Sequence, residues 1–531
     1  MENLYNNEIE NEYSKTTDIQ HRRNLGQFFT PFQIAEFMAE WILKNKKNKL
    51  EILDPAAGLG IFERMIKAKN KDKDIKFDLW EIDQNISRKL SKIMNNLNTN
   101  FDIHTDDFLS KSLWDKKYDG IIANPPYYKH HNIKNKEKIF QDICIKTYFK
   151  FSIQTNIYCW FLIKTMNLLN NGGRLAFIIP SEFFNANYGE KVKEFLKQSG
   201  IVLHLININF KENVFDNALT TSVIIFAEKN KKKVSEINFY NVNDINQFTS
   251  LNTFFNNHPK RIIKTNKLDS KVKWRNYFNG YENENDKPGL VVFTKFGRFS
   301  RGIATGANQY FTLTEDEKNQ YNLSDKYLLP CITKAIQAKD ILFTKEDFKK
   351  LKKDNKKIYL FKGEGANDNF CINYIKRGEE LKIDQKYLTR NRDPWYSLEK
   401  RNVAKIWASV FGRKGLKFIW NNTNCLNLTC FHNFYPTEIG GKYLDIFFLY
   451  LNTNIAKRLF DKEKREYGNG LEKFEPNDIN KSLIVDFDLL NNNQVKEIKK
   501  MQKKFLQFNI NNRDNIIKKA DKIFKKVFEL S

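Results

Sequence analysis

The chain has 531 residues, 41% of them hydrophobic, so it can bury the cores of two or three domains. Its formal net charge of +26 favours a polyanionic partner such as a nucleic acid, and no apolar run approaches the roughly 20 residues that a membrane-spanning helix needs. The polar N-terminus lacks a signal-peptide pattern and the six cysteines lack zinc spacing, so we expect a cytoplasmic protein with reduced cysteines and no metal site.

The first 100 residues contain an arm, a helix and two strand–turn–helix units. Residues 1–24 form a polar, acidic arm that we expect to be flexible or helical. In "FFTPFQIAEFMAEWILK" the apolar spacing is helical, with Thr30 as the expected N-cap and Pro31 at the first helical position. The two units that follow are "KLEILDPAAGLGIFERMIKAK" and "IKFDLWEIDQNISRKLSKIM", and Asp83 is expected to cap the second helix.

The next segments extend the same alternation. Two strand ends, "FDIHTDDFL" and "YDGIIANPPYY", are followed by "YCWFLIKTMNLLNNGGRLAFIIP", which predicts a helix, a Gly-Gly turn and a strand. Further strands are predicted at "GIVLHLININF", "TTSVIIFAEK" and "INFYNV". Strands alternating with helices indicate a parallel α/β sheet covered on both faces. We therefore predict an α/β domain at 25–255 and a mixed α+β domain at 256–531 that ends in one or two amphipathic helices over 493–530.

Polar residues follow three of the predicted strands, where ligands bind in doubly wound sheets. Gly58 and Gly60 let the backbone of "LDPAAGLG" approach a ligand, and Glu81 can accept both hydroxyls of a ribose. Asp107 can accept an exocyclic amine beside the ring of Phe108. No lysine follows the glycine turn as in a phosphate-binding loop. The pattern therefore favours an adenosine without a polyphosphate, and S-adenosylmethionine fits.

The stretch "IIANPPYY" ends an apolar strand with an amide, two prolines and an aromatic ring. The prolines fix their φ angles and remove two N–H donors, so Asn124 Oδ1 and the Pro125 carbonyl present two rigid acceptors and no base. Tyr127 adds a flat face for stacking. These groups suit the exocyclic NH2 of a planar base, whose nitrogen lone pair they would hold toward a methyl sulfonium. Such chemistry needs positioning and electrostatics but no nucleophilic side chain.

The order of these motifs resembles that of the adenine-N6 DNA methyltransferases of the TaqI type, the γ arrangement with an Asn-Pro-Pro-Tyr motif. Eight segments agree in order and spacing over residues 20–230: "FFTP", "LDPAAGLG", "WEID", "DDF", "IIANPPY", "YCWF", "GGRLAFIIPSEFF" and "NVFDNALTTSVIIF". Three segments of the second half resemble the C-terminal parts of such enzymes more weakly: "RGIATGANQYF", "NRDPWY" and "YGNGLEKFEP".

The resemblance implies a Rossmann-like S-adenosylmethionine-dependent methyltransferase domain at 25–255 and a DNA target-recognition domain at 256–531. It implies methyl transfer from S-adenosylmethionine to N6 of an adenine flipped out of duplex DNA. The chain would be the modification enzyme of a restriction-modification system, with a cognate restriction endonuclease acting on the same sequence. It would work in the bacterial or archaeal cytoplasm, bound to the nucleoid through DNA.

Carried over motif by motif, the resemblance also implies sets of site residues. The methyl-donor pocket is expected to be lined by Thr30, Asp54, Ala56, Gly58, Glu81, Ile82, Asp107, Phe108, Pro126 and Phe161. The catalytic residues that hold the adenine are expected to be Asn124, Pro125, Pro126 and Tyr127, with Phe215 stacking on the other face of the base. The basic second domain supplies candidates for DNA contacts at Arg298, Arg301, Arg390 and Arg392.

Other functions share part of this pattern. A glutamine-amide methyltransferase that acts on a release factor also carries Asn-Pro-Pro-Tyr, but it predicts a small N-terminal domain and little chain after the last catalytic strand. Methylation of RNA is compatible with the charge. A non-catalytic nucleic-acid-binding module is disfavoured because residues 124–127 are intact. A fused nuclease is not indicated either, since we find no Asp…Glu-x-Lys segment ahead of residue 25.

Overall fold

The computed structural model describes residues 2–127, 135–186, 188–210, 221–280, 288–412, 415–467, 471–507 and 510–528. The chain divides into two compact units, residues 1–282 and 283–531, except that the short segment 466–470 groups with the first. Across these described ranges, none of the helices combines the length and the apolar character required to cross a membrane. The six cysteines are all free.

The first unit is built on a nine-stranded sheet. Its strands are β1 (Lys49–Asp54), β2 (Asp74–Trp80), β3 (Asn100–His104), β4 (Tyr118–Ala123), β5 (Leu169–Pro180), β6 (Val202–Ile208), β7 (Ser222–Glu228), β8 (Glu236–Val242) and β9 (Lys260–Lys264). They lie in the order β3-β2-β1-β4-β5-β7-β6-β8-β9. The first five strands of this order, β3, β2, β1, β4 and β5, run parallel to one another. Strand β7 instead pairs antiparallel with both β5 and β6.

All eight predicted strands are present, and β9 is an additional one. Strand β9 has the sequence KRIIK and is mostly exposed at the edge of the sheet, where it pairs antiparallel with β8. Its charged ends and lack of a buried face explain why the hydrophobic pattern did not reveal it. The domain boundary predicted between residues 255 and 256 stays a prediction. The sheet of the first unit continues beyond this position to Lys264.

Helices cover both faces of this sheet. They are α1 (Glu8–Thr16), α2 (Ile19–Leu25), α3 (Phe32–Leu43), α4 (Ile61–Lys69), α5 (Gln84–Asn96), α6 (Lys136–Thr147), α7 (Ile157–Met166), α8 (Gly189–Ser199), α9 (Leu251–Asn257) and α10 (Arg275–Asn279). Adjacent residues Ile121 and Ile122 of β4 belong to opposite cores, one containing α7 and α8, the other α3, α4 and α9. The predicted two-sided α/β layer is confirmed, because only a strand buried on both faces needs continuous apolar residues.

Two predicted helix caps have different outcomes. Asp83 caps α5, since its side chain accepts hydrogen bonds from the N–H groups of Asn85 and Ile86. The prediction for Thr30 is wrong: α3 begins at Phe32, whose N–H donates to Asn7 Oδ1 at 2.7 Å. The cap therefore comes from the N-terminal arm, because the Thr30 hydroxyl is engaged elsewhere.

The arm is helical and is attached to α4 by a buried ion pair. Arg64 is fully buried and its guanidinium pairs with Glu10 of α1. The same guanidinium donates to the main-chain carbonyls of Leu4 at 2.9 Å and Asn6 at 3.0 Å. Burial raises the pKa of the Glu10 carboxyl, and the Arg64 charge opposes that increase. The desolvated guanidinium thus has several partners, all of which lie in the arm or in its own helix.

From residue 288 onward, the described part of the chain forms four small sheets. Their strands are β10 (Leu290–Val292), β11 (Gly297–Arg301), β12 (Thr312–Leu313), β13 (Leu328–Ile332), β14 (Leu342–Phe343), β15 (Tyr359–Phe361), β16 (Ile406–Ser409), β17 (Phe411–Gly412), β18 (Phe418–Asn421), β19 (Leu426–Asn427), β20 (Phe431–Pro436), β21 (Arg465–Tyr467), β22 (Leu471–Lys473) and β23 (Leu483–Val485). The strand orders are β11-β20-β16-β18-β14, β12-β15-β13-β19, β17-β22-β21 and β10-β23.

The helices of the second unit confirm its predicted mixed α+β class. They are α11 (Asn308–Phe311), α12 (Glu315–Gln320), α13 (Lys345–Lys353), α14 (Asn369–Glu380), α15 (Glu438–Lys442), α16 (Leu444–Leu451), α17 (Asn454–Asp461), α18 (Pro476–Lys481), α19 (Asn492–Gln507) and α20 (Ile510–Phe528). The amphipathic segment over 493–530 forms two helices, α19 and α20. Their buried residues Ile498, Phe505 and Ala520 share a core with the apolar helix α16.

We expect Arg64→Ala to destabilise the first unit. Removing one partner of a buried ion pair leaves the Glu10 charge uncompensated and typically costs about 3–5 kcal/mol of unfolding free energy. Urea unfolding followed by tryptophan fluorescence measures the change. Lys67→Ala, an exposed position on the same helix, is the control and should change the midpoint little. Equal midpoints for the two variants would show that the pair does not hold the arm.

Candidate functional site

A cavity opens in the first unit where β1, β2, β3 and β4 end. Its empty volume, which includes space open to solvent, is about 940 Å³. Nine of the ten residues expected in a methyl-donor pocket line it: Thr30, Ala56, Gly58, Glu81, Ile82, Asp107, Phe108, Pro126 and Phe161. Sequence reasoning missed Gln27, Phe28 and Phe29, although they adjoin Thr30 in the same segment.

Glu81 follows β2 and is held by two main-chain donors. Its carboxylate accepts the N–H of Gly58 at 3.0 Å and the N–H of Asp83 at 2.8 Å. Gly58 has φ +56, a left-handed conformation that glycine adopts without strain. The Glu81 side chain is largely buried, and this burial raises its pKa to about 7. The carboxylate is therefore fixed in place and retains lone pairs for hydroxyl donors.

Asp107 and Phe108 form a second part of the cavity wall. Asp107 accepts the N–H of Leu109 at 3.0 Å, and burial raises the pKa of its carboxyl. The Phe108 ring stacks on Phe161 with centroids 5.5 Å apart and an interplanar angle of 21°. In such an arrangement the carboxylate can accept a hydrogen bond from the amine of a flat heterocycle, and the rings can cover the apolar surface of that heterocycle.

Lys164 supports the turn that follows Asp107, a role that was not predicted. Its ammonium is fully buried and donates to the carbonyls of Phe108 at 2.7 Å, Leu109 at 3.1 Å and Lys111 at 2.6 Å. Burial lowers its pKa to about 8. Lys164 and Phe161 lie one turn apart on α7, so a single helix supports the turn after Asp107 in two ways. A lysine within the apolar run YCWFLIKTM was the available sequence signal.

Asp54 is the one expected pocket residue that does not line the cavity. It is fully buried, with Oδ1 accepting the N–H of Ala56 at 2.9 Å. Its Oδ2 and both carboxylate oxygens of Glu63 lack hydrogen-bond partners within the described part of the chain. Burial raises the pKa of both carboxyls, that of Glu63 to about 7, and the Glu63 charge raises the pKa of Asp54 further. Burial and the proximity of the two carboxyls thus both favour the protonated form of this pair.

Asn124 follows β4 and is oriented by the segment before α3. Its amide nitrogen donates to the carbonyl of Phe28 at 2.7 Å and to the Thr30 hydroxyl at 3.0 Å. Asn124 Oδ1 is buried and has no partner among the residues that the structure describes. Asn124 is thus a cavity-lining residue that carries an unpaired, buried acceptor. A buried acceptor of this kind is costly unless a ligand supplies the donor.

Pro126 lines the cavity, whereas Pro125 and Tyr127 are not among its lining residues. The Tyr127 N–H donates to the carbonyl of Gly26 at 3.4 Å. The Tyr127 ring stacks on Phe28 at 5.3 Å between centroids and meets Tyr158 edge-on at 6.2 Å. Burial raises the pKa of the Tyr127 hydroxyl, so this side chain stays neutral.

The remaining predicted residues belong to the second unit or fall outside the described residues. Phe215 falls outside the described residues. Arg298 is exposed on β11, and Arg301 on the same strand approaches Glu475 at 3.5 Å. Among the described residues, no group of three or more His, Cys, Asp or Glu side chains is arranged to hold a metal ion.

Arg390 and Arg392 differ in their surroundings. The Arg390 guanidinium lies 5.5 Å from the ring centroid of Tyr387. The Arg392 guanidinium donates to the carbonyls of Ala304 at 2.6 Å and Thr305 at 3.0 Å, and burial lowers its pKa. Arg392 therefore braces the "RGIATGANQYF" loop, and two of the segments that were singled out in the second half pack together.

Two family profiles match the chain. The profile described as N-6 DNA Methylase matches residues 13–285, and the one described as Type II methyltransferase M.Eco57I, C-terminal domain, matches residues 275–523. The chain is 40% identical to Type II methyltransferase M.AccI of Acinetobacter calcoaceticus, over 98% of this chain and 97% of that protein. It is 24% identical to Type II methyltransferase M.XamI of Xanthomonas campestris pv. amaranthicola, over 88% of this chain and 86% of that protein.

A solved structure shares the fold over most of the chain. The Type IIL restriction-modification enzyme MmeI, determined in complex with DNA, aligns with a TM-score of 0.63 at 13% sequence identity. The alignment covers 97% of this chain and 77% of that one. At this identity the similarity concerns the fold of both units and not their chemistry.

We expect Glu63→Gln to stabilise the protein at pH 8. The folded-state pKa of about 7 exceeds the ordinary 4.5, so folding binds protons between these values and the unfolding free energy falls as pH rises through that window. Glutamine loses no proton, and its amide can donate to Asp54 Oδ2. The gain should be about 1–3 kcal/mol at pH 8 and smaller at pH 5.

Thermal unfolding at the two pH values measures this difference. Glu12→Gln, an exposed position on α1, is the control and should show no such pH dependence. A Glu63→Gln variant that is less stable than the wild type at pH 8 would contradict the account of the acid pair.

Proposed function

The chain belongs to the N-6 DNA methylase family, and from this membership we propose that it is a site-specific DNA methyltransferase that transfers a methyl group from S-adenosylmethionine to N6 of an adenine in duplex DNA. Similarity to a type II methyltransferase along almost the whole chain supports this function. The observation that carries the proposed chemistry is the unpaired, buried Oδ1 of Asn124, a residue that lines the cavity.

The cavity wall fits S-adenosylmethionine better than a phosphorylated nucleotide. Three carboxylates, Glu81, Asp106 and Asp107, line it, and no lysine or arginine is among the described lining residues. An acidic wall suits a cofactor that carries a sulfonium and an ammonium group, whereas it would repel a polyphosphate. The Glu81 carboxylate would accept the ribose hydroxyls. Asp107 would accept the adenine amine beside the stacked Phe108 and Phe161 rings.

The target adenine would be held by acceptors alone. Asn124 Oδ1 and the Pro125 carbonyl would each accept one N–H of the exocyclic amine, which turns the N6 lone pair toward the methyl group. The bound cofactor supplies an electrophilic methyl on a positively charged sulfur. During methyl transfer positive charge would develop on N6, and the two acceptors would stabilise it. The proton then leaves N6 to water, so no side-chain base is required.

The finer assignment is to the TaqI type, the γ arrangement. The segment with Phe28 and Thr30 precedes the glycine loop at Gly58, and Asn124 follows both, which is the motif order of that type. We propose that the second unit is the DNA target-recognition domain and that the adenine is flipped out of the duplex. We further propose that the enzyme protects DNA in the cytoplasm against a cognate restriction endonuclease.

Sequencing of genomic DNA with detection of modified bases tests this function directly. A methylation-deficient bacterial host that expresses the chain should carry N6-methyladenine within one defined sequence. The same host that expresses Asn124→Ala should not. Absence of modified adenine, or methyl groups found instead on cytosine, RNA or protein glutamine, would overturn the proposal.

We expect Asn124→Ala to lower turnover about a hundred- to a thousandfold, the usual effect of losing one preorganised hydrogen-bonding group. The dissociation constant for S-adenosylmethionine should change little, because the acceptor serves the base. Single-turnover methylation and calorimetry separate these quantities. The exposed Asn96→Ala on α5 is the matched control. A wild-type rate for Asn124→Ala would rule out the acceptor role.

Cofactor affinity should depend on pH through Glu81. The ionised carboxylate is the better acceptor for ribose hydroxyls, and its pKa of about 7 means that affinity is full at pH 8 and decreases as pH falls toward 6. Glu81→Gln should flatten this profile and weaken binding by about 1–3 kcal/mol. Calorimetric titration with S-adenosylmethionine at several pH values provides the measurement. A pH-dependent profile that persists in Glu81→Gln would assign the titration to another group.

A further inference from the structure

The segment 26–30 connects the cofactor cavity with the Asn-Pro-Pro-Tyr residues. Its residues line the cavity, and it contacts residues 124–127 at several points. The Phe28 carbonyl and the Thr30 hydroxyl accept the Asn124 amide hydrogens, and the Gly26 carbonyl accepts the Tyr127 N–H. The Phe28 ring stacks on Tyr127. One short segment therefore fixes both the amide and the ring that would hold the base.

The two adjacent phenylalanines of this segment have different neighbours. The Phe28 ring lies nearly parallel to the Tyr127 ring, with an interplanar angle of 24°. The Phe29 ring instead meets Tyr13 edge-on at 5.8 Å and lies 3.8 Å from the position that a Cβ on Gly58 would take. Phe29 thus contacts the glycine loop and the arm, whereas Phe28 contacts the base-holding residues.

We propose that Phe28 is a positioning residue for the target base and that Phe29 serves the cofactor side of the cavity. This inference rests on the proposed function. Phe28 acts through Tyr127 and Asn124: its ring restricts the rotation of the Tyr127 side chain, and its carbonyl directs the Asn124 amide so that Oδ1 remains the acceptor. The base would stack on the face of the Tyr127 ring opposite Phe28.

A comparison of Phe28→Leu with Phe29→Leu tests this division. A duplex with the mapped recognition sequence, carrying 2-aminopurine at the target adenine, reports base extrusion by fluorescence. Single-turnover methylation and calorimetry report the rate and the cofactor affinity. An aromatic pair contributes about 0.5–1.5 kcal/mol beyond its buried area. Phe28→Leu should therefore reduce the methylation rate and the extrusion equilibrium by about two- to tenfold, with a smaller change in cofactor affinity.

For Phe29→Leu we expect the larger effect on cofactor affinity and the smaller effect on base extrusion. Its dissociation constant for S-adenosylmethionine should increase more than its extrusion signal at saturating cofactor decreases. Phe28→Tyr keeps a ring against Tyr127 and should restore most of the loss in Phe28→Leu. Melting temperatures identify any variant that fails to fold, and Phe28→Tyr then still tests whether a ring at this position sustains extrusion.

A double-mutant cycle tests whether Phe28 acts through Tyr127. If it does, Phe28→Leu combined with Tyr127→Leu should lose little more than Tyr127→Leu alone. Fully additive losses, or Phe28→Leu and Phe29→Leu variants with the same ratio of rate loss to affinity loss, would overturn the inference. Wild-type protein that transfers no methyl group to adenine would overturn the proposed function. Normal wild-type transfer with an unaltered Phe28→Leu would overturn this inference alone.

Discussion

The parallel register of four neighbouring strands determines where the site residues at the strand ends lie. Asp54 at the end of β1 pairs with Leu79 of β2, and Trp80 pairs with His104 of β3, so these strands end along one edge of the sheet. Strand β4 pairs with β1 on the other side and brings Asn124 to the same edge. A shift in register at any pair would separate the carboxylates from the amide. The side chains differ in chemistry, but their proximity has this one cause.

The sequence predicted this edge well because continuous apolar strands followed by polar residues are typical of a buried parallel sheet with a ligand site at its strand ends. It could not predict which way a polar side chain points: Asp54 ends β1 and Glu81 follows β2, yet Glu81 lines the cavity and Asp54 is buried against Glu63. The adjacent rings of Phe28 and Phe29 raise the same problem. Buried Lys164 was missed because its three acceptors are main-chain carbonyls, which no sequence pattern identifies.

The N-terminal arm shows how a polar segment becomes part of a folded unit. Its composition indicates only a solvated helix, yet Glu10 supplies the charge that compensates buried Arg64. Asn7 of the arm caps α3 and also donates to the Thr30 carbonyl at 3.0 Å, so the arm contacts the segment that orients Asn124. The arm, the segment 26–30 and the end of β4 thus form one chain of hydrogen bonds within the first unit.

The proposed pair of acceptors at Asn124 and Pro125 would have a consequence for the end of the catalytic cycle. Adenine offers two N–H groups to two acceptors, but N6-methyladenine has only one N–H left. After transfer, one buried acceptor loses its donor, and an unpaired buried oxygen costs about 1–3 kcal/mol. The same arrangement that holds the substrate therefore disfavours the methylated base. Loss of this one hydrogen bond would therefore favour product release. The enzyme would dissociate from already modified DNA without a separate conformational change.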